Sequence, residues 1–471
     1  MRTPLQRIVV GVAVIGLLSA SPALAATKKK GVVSAPKPVS TATPGISGDI
    51  FKLFGAYPVV KGATTRGVTA SSIKIGVVSD ITAGGQQQYY GGCEGAKARF
   101  DRANATKELK HKIDLVGCQD TGSDPTKTDS LVKEMVESKK VFGLVSIGAT
   151  LSSDKYLTDK KVPYVGWGVI PPYCGWDKPF GFGNSGSLVC DAVQRKDPKK
   201  VALSSFIMSS YIAGTKKNPA DLKVAIISED NAAGRNGNPI QRRQIEAIGA
   251  SVVFEKASLP TTPAADYAPF IGDILKSNPN LVELSTAFIH VAPMAAGLRA
   301  AGYKGDILQF VFFDSGILQV PQLAAAIDTT FAVTPGLGSS SFPGPGWTQA
   351  AADTKASGLA GRFYCDEVAP GIVAGCGLGF TEHYNSADFY VQALKALEKS
   401  GKAVTTENFA NLINAGWTYP GIPGMACPVT YPMSHVVGAP CGALVQWDVA
   451  NKQLKGLVDL KSYDVALVAT P

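Results

Sequence analysis

The stretch Ile73-Lys74-Ile75-Gly76-Val77-Val78-Ser79 reads as a buried strand, because its apolar, β-branched residues run on with little polar alternation. The pattern downstream of this strand decides the fold. Gly92 to Ala103 puts Ala96, Phe100 and Ala103 on one helical face, and Lys112 to Gly117 returns to strand. Asp124-Pro125 then supplies an N-cap with proline at the first helical position, and Leu131, Val132, Met135 and Val136 form that helix's apolar stripe. Val141 to Ile147 and Val162 to Val165 come next as strands. The alternation resumes at Leu222 to Ser228, with a helix near Gly237 to Ile248 and strands at Val252 to Phe254, Leu281 to Ser285 and Leu308 to Phe313. Strands alternating with helices imply parallel sheets covered on both faces, and two such sets imply an α/β protein with two lobes. A long helix over Tyr384 to Glu398 and a strand pair, Gly442 to Val449 with Gln453 to Leu460, complete the pattern.

The 471 residues allow two or three domains, and 45% apolar content excludes a largely disordered chain. Lys and Arg outnumber Asp and Glu by 46 to 37, but Met1 to Pro44 hold six of the cations and no acid. The balanced remainder gives no charge-based case for nucleic acid as a partner. Arg2, Arg7, the apolar run Ile8 to Ala20 and Ala23-Leu24-Ala25 read as an export signal over residues 1–25, with an uncleaved anchor helix as the rival. No cysteine follows that run at the position a lipid-modified start would need, so the expected product is periplasmic or secreted and not lipid-anchored. Residues 26–66 read as a flexible tail, opened by Lys28-Lys29-Lys30 and containing one apolar patch, Ile50 to Phe54.

Export changes how the cysteines read. Eight of them allow 105 pairings, and clustering favours Cys93 with Cys118, Cys174 with Cys190, Cys365 with Cys376 and Cys427 with Cys441. Each bridge would close a short loop worth ~2–4 kcal/mol. A zinc site is the functional rival, but no C-x-x-C pair or Cys/His quartet is present, and no metal is expected.

The segments 73–78, Glu94-Gly95-Ala96-Lys97 with Asn104, Asp120, Asp124-Pro125, Val141 to Val145, Ser152, Lys161 to Tyr164, Val224 to Ile227, Ala393 to Gly401 and Gln446-Trp447 carry a family likeness by their order and spacing. From about Val68 to Leu460 the chain resembles the type I periplasmic binding proteins, in the branch of the leucine/isoleucine/valine-binding proteins. The resemblance implies two Rossmann-like lobes hinged by three crossings, with residues 67–199 and 336–431 in lobe one and 200–335 and 432–471 in lobe two. It also implies an interlobe cleft for a small polar ligand such as an amino acid, delivery to an ABC-type permease, a monomer, no cofactor and no catalysis.

Ligands of open parallel sheets sit beyond the carboxyl ends of strands, which selects the candidates. Gln87, Gln88 and Tyr89 lie between the first strand and first helix, where amides and a phenol can meet a polar ligand. In the family, the turn at Ala149 and Thr150 grips a carboxylate at a helix start, and that anion logic is physical; a plain helix cap is the rival. Trp167 and Gly168 replace a small Gly-Ala-Thr-like family turn, so Trp167 either walls the cleft or fills packing. In the second lobe Asn231 stands where the family has a tyrosine, Thr286 ends another strand, and Asp314 falls where a carboxylate can hold an ammonium group.

Enzyme readings find little support. Gly181-Phe182-Gly183-Asn184-Ser185-Gly186 fits G-x-G-x-x-G but lies far from the opening strand–helix unit and lacks the acid about 20 residues on, so it reads as a glycine-rich loop. His111, His290, His383 and His435 are scattered without metal-ligand spacing. A secreted hydrolase assembled from distant residues stays open, as does a ligand-sensing receptor or adhesion module on the same fold.

Overall fold

Residues 57–82, 91–145, 151–188, 200–204, 206–310, 321–334, 345–359, 378–439, 441–451, 453–463 and 465–469 are described by the computed structural model. The opening strand β1 (Ser72–Ser79) is buried from Ile75 onward, as its continuous apolar run requires. After it come α1 (Gly92–Ala105), β2 (Lys112–Asp120), α2 (Pro125–Lys133), β3 (Gly143–Val145), α3 (Asp154–Asp159), β4 (Tyr164–Gly166) and β5 (Gly181–Gly183). The Asp124 side chain accepts the N–H groups of Thr126 and Lys127, the cap expected there. These strands form one parallel sheet in the order β2-β1-β3-β4-β5. The segment read as a glycine-rich loop is therefore partly strand: Gly181–Gly183 is the edge of this sheet.

The second set comprises β6 (Lys200–Ser204), α4 (Phe206–Thr215), β7 (Lys223–Glu229), α5 (Ala232–Ala247), β8 (Ser251–Leu259), α6 (Ala268–Lys276), β9 (Leu281–Ser285), α7 (Phe288–Ala300), β10 (Asp306–Phe310), α8 (Pro321–Ile327) and β11 (Phe331–Thr334). Next come α9 (Pro345–Ala356), α10 (Leu378–Lys399), α11 (Thr406–Asn414), the short pair β12 (Thr418–Tyr419) and β13 (Val429–Thr430), then β14 (Cys441–Asp448), β15 (Gln453–Ser462) and β16 (Val465–Ala469). The second sheet has the order β15-β14-β11-β10-β9-β7-β8. It is parallel from β8 to β11, whereas β14 and β15 join it antiparallel; β16 pairs with β6. The protein is thus a two-lobed α/β fold.

Helix α10 returns to the first sheet. The Tyr390 hydroxyl donates to the carbonyls of Leu144 and Pro163, at 3.0 and 2.8 Å. Between α10 and α1 lies a buried ion cluster. Arg99, with no exposed surface, donates through Nε to Asp388 (2.5 Å) and through both terminal nitrogens to Glu108 (2.9 and 3.0 Å). Tyr419 donates to the other oxygen of Asp388 at 3.0 Å, so both its oxygens are bonded.

Two chain segments run antiparallel where the chain leaves one sheet for the other. Ser187 N–H donates to Val437 (3.1 Å), Ala439 N–H to Ser185 (2.7 Å), and Leu188 N–H to Gly168 (2.7 Å). A β-carbon on Gly168 would stand 1.6 Å from the Gly186 carbonyl oxygen, and Gly186 itself has φ +69. Gly168→Ala should therefore lower stability by about 3 kcal/mol, the upper end of overpacking; an unchanged thermal midpoint would remove this account of the ribbon.

The Cys93–Cys118 and Cys427–Cys441 disulfides are present, with Cα separations of 5.8 and 6.0 Å. Cys427 precedes β13, whose partner strand carries Tyr419, while Cys441 opens β14 of the second sheet. Cys174 is also disulfide-bonded, and Cys190, Cys365 and Cys376 lie outside the described residues.

Helices return from the carboxyl to the amino ends of the strands, and their return turns use left-handed residues. Around the second sheet these are Lys216, Gly249, Asn278, Gly302 and Thr329; before β2, β3 and β4 of the first they are Lys107, Lys140 and Lys161, with φ of 54, 57 and 55. A side chain there costs about 1 kcal/mol relative to glycine.

Candidate functional site

The carboxyl ends of both sheets carry buried polar groups. In the first lobe β1 ends at Ser79, whose Oγ lies 2.7 Å from His383 Nε2 on α10. His383 Nδ1 sits 2.6 Å from the Gly379 carbonyl, which can only accept, so Nδ1 carries the proton. Burial holds this imidazole neutral, with its pKa pushed down to about 4, and Nε2 accepts the Ser79 hydroxyl. Gly92 is needed beside it, since a β-carbon would stand 2.5 Å from the ring.

One turn of α10 serves a second buried group. Asn184, just beyond β5, donates through Nδ2 to Glu382 Oε2 (2.9 Å), to the Glu382 carbonyl (3.1 Å) and to Ser386 Oγ (3.0 Å). Burial pushes the Glu382 carboxyl up to about 7, with the Asn184 bond working against the shift. The ends of β1 and β2 are tied together by Thr121 to Asp80 and by Thr82 to Asp120.

In the second lobe Glu229 ends β7 and gathers donors from two strand ends. Asn231 Nδ2 donates to Oε2 (2.8 Å), while the Ala287 N–H (2.9 Å) and Thr286 hydroxyl (3.3 Å) donate to Oε1. Burial raises this carboxyl's pKa and those three donors oppose the rise. Asn231 also caps α5 by accepting the Gly234 N–H at 2.8 Å. His290 donates from Nε2 to the Pro260 carbonyl (2.9 Å) and accepts the Tyr267 hydroxyl at Nδ1 (2.8 Å); burial lowers its pKa.

The structure thus brings Asn231 and Thr286 together through Glu229, which the sequence alone does not single out. Trp167 comes directly after β4 and is 3% exposed, so its ring is packed. Gly168 is occupied with the crossing ribbon. Gln87, Gln88, Tyr89, Ala149, Thr150 and Asp314 lie outside the described residues. Glu382 and His383 also escape a sequence reading, because their partners Asn184 and Ser79 lie about 200 and 300 positions away in sequence, where no spacing rule reaches. Among the described residues no three His, Cys, Asp or Glu side chains form a group able to hold a metal, and no helix is long and apolar enough to cross a membrane.

A family profile described as periplasmic binding protein matches residues 72–453. No curated protein matches the chain in sequence. Among solved structures, a fatty acid ABC transporter substrate-binding protein from Thermomonospora curvata is 16% identical with a TM-score of 0.63, covering 84% of this chain and 94% of its own. A branched chain amino acid ABC transporter from Thermus thermophilus with bound valine is 14% identical, with a TM-score of 0.64 and coverage of 84% and 98%. A solute binding protein of an ABC transporter from R. palustris in complex with 4-hydroxybenzoate is 16% identical, with a TM-score of 0.59 and coverage of 85% and 98%.

Proposed function

The chain belongs to the periplasmic binding protein family, and from that premise we propose that it is an exported solute-binding protein that captures a small organic acid, an amino acid or a relative, between its lobes for an ABC-type permease. The lobes in this reading are residues 67–199 with 336–431 and 200–335 with 432–471. One observation carries the proposal: buried polar groups gather at the carboxyl ends of both sheets, and one of them, at Asn184, directly precedes the paired crossing ribbon. Ligands bind at such strand ends, and a ribbon of paired crossings suits a hinge that closes on contacts made only in the shut state. Fatty acid, valine and 4-hydroxybenzoate, named for the three similar structures, share a carboxylate, which supports the ligand class. Glu229, with His290 Nε2 3.8 Å from its Oε1, is our candidate acceptor for a ligand amine or hydroxyl.

Native mass analysis of the purified mature protein, followed by denaturation, tests the reading. A stoichiometric small acid released unchanged is the expected result. A bound molecule that is chemically altered on incubation would replace the clamp by an enzyme. Failure of a panel of amino, fatty and aromatic acids to bind the emptied protein would remove the proposed ligand class.

A further inference from the structure

The amino-terminal pole of the first sheet carries charge for which ligand capture has no use. Lys107, Lys140 and Lys161 occupy left-handed positions there, where glycine or asparagine fits without strain. The second sheet is an internal control, since Gly249, Asn278 and Gly302 hold that place in three of its five return turns. Lysine stands at all three of these turns but at only one of the five around the second sheet, Lys216, so the left-handed turns concentrate cations at this one pole.

Further cations share the pole. Lys112 opens β2, Lys110 is exposed beside it, and Lys61 arrives next to Lys161, whose Nζ donates to the Gly62 carbonyl at 2.8 Å. Ion pairs bind Lys139 to Glu134 and Lys160 to Glu137, and the Lys110 backbone N–H donates to Glu398 at 2.8 Å, but the ammonium groups of Lys107, Lys110, Lys112 and Lys140 make no ion pair among the described residues. Val59, two residues before Lys61, is a large apolar side chain left 72% exposed. By sequence, the mature segment leading to it adds Lys28, Lys29, Lys30, Lys37 and Lys52 against Asp49 alone.

We propose that this pole is a docking surface for an anionic phospholipid bilayer, with the lysines over the headgroups and Val59 entering the interface. An apolar side chain set among cations strengthens adsorption to a bilayer and adds nothing to the binding of a hydrated polyanion, which favours the membrane. The strand ends that carry the candidate site lie at the opposite edge of the same sheet, so docking leaves that site clear.

Sedimentation of the purified mature chain with vesicles tests the proposal, using phosphatidylcholine alone and phosphatidylcholine mixed with phosphatidylglycerol. Binding should need phosphatidylglycerol and weaken as salt is raised. Lys107→Gly and Lys140→Gly should each weaken it about fivefold while raising the thermal midpoint, a pairing that mere loss of structure would not produce. Lys107→Glu with Lys140→Glu should abolish it without relieving the backbone strain, and Val59→Ser should weaken it. No binding to either vesicle, equal binding to both, or undiminished binding by the glycine variants would overturn the proposal. Retention on heparin without retention on the vesicles would overturn it in favour of a soluble polyanion.

Discussion

Arg99→Met should cost about 3–5 kcal/mol of folding stability, the usual result of removing one partner from a buried ion cluster. The guanidinium is fully buried and bonds two carboxylates on different segments, Glu108 just beyond α1 and Asp388 on α10. Its loss leaves those carboxylates facing Arg102, whose nitrogens stand 3.4 Å from Glu108 and 3.8 Å from Asp388. That second arginine offsets only part of the cost, because it is itself 3.1 Å from Asp353. Lysine at position 99 should not rescue, since one ammonium cannot reproduce the two-nitrogen contact with Glu108. Urea unfolding measures the loss; a change below 1 kcal/mol would mean that Arg102 takes over the site. The double variant Arg99→Met/Asp388→Leu should recover part of the loss, by removing one of the stranded charges along with its partner.

Glu283→Leu should do the opposite and stabilise the protein, increasingly so as pH rises. Glu283 lies in the middle of β9 between Ile226 and Leu308, 1% exposed, and neither carboxylate oxygen has a hydrogen-bond partner among the described residues. Burial alone pushes it from 4.5 to about 8, so the folded protein keeps a proton that the unfolded chain releases. Stability tied to this group is fully present below pH 4.5 and is lost as pH rises through 8. The slope is about 1.4 kcal/mol per pH unit across that window, or about 3 kcal/mol between pH 5 and pH 7. The variant has no such proton, so its advantage over the natural chain should widen by that amount. A constant difference between the two chains at pH 5 and pH 7 would sink the claim. Glu382, raised to about 7, pulls the natural chain the same way, whereas His383 and His435, lowered to about 4 and about 3, pull it down on the acid side.

The elements legible in the sequence are those written in local signals. β1 and β7 are continuous β-branched runs, α2 begins at its Asp-Pro cap, and α10 shows Ala387, Val391, Leu394 and Leu397 at helical spacing. β5 is not legible, because a Gly-Phe-Gly edge strand has no β-branched signature and acquires its pairing only from β4. The same limit governs the site. Asn231 and Thr286 are visible as polar residues at strand ends, but the carboxylate that joins them ends β7 itself and reads as an ordinary strand terminus. Glu382 sits within a helical stretch, and its importance comes from burial against Asn184, about 200 positions away.

The cluster around Arg99 constrains the order in which the chain can finish folding as it is made. Synthesis from the amino end delivers β1 to β5 long before α10, and Asp388 lies 289 positions after Arg99. Until it arrives, α1 offers one face to solvent with a charged group built for burial, and the sheet waits for its cover. Non-local closures of this kind are slow and leave sticky surface open meanwhile. The first sheet therefore waits for its α10 cover, although its strands are the first to appear. Any attempt to produce the first sheet together with its helical cover must join two pieces of sequence, Ser72–Gly183 and Leu378–Lys399, that the ribosome makes far apart.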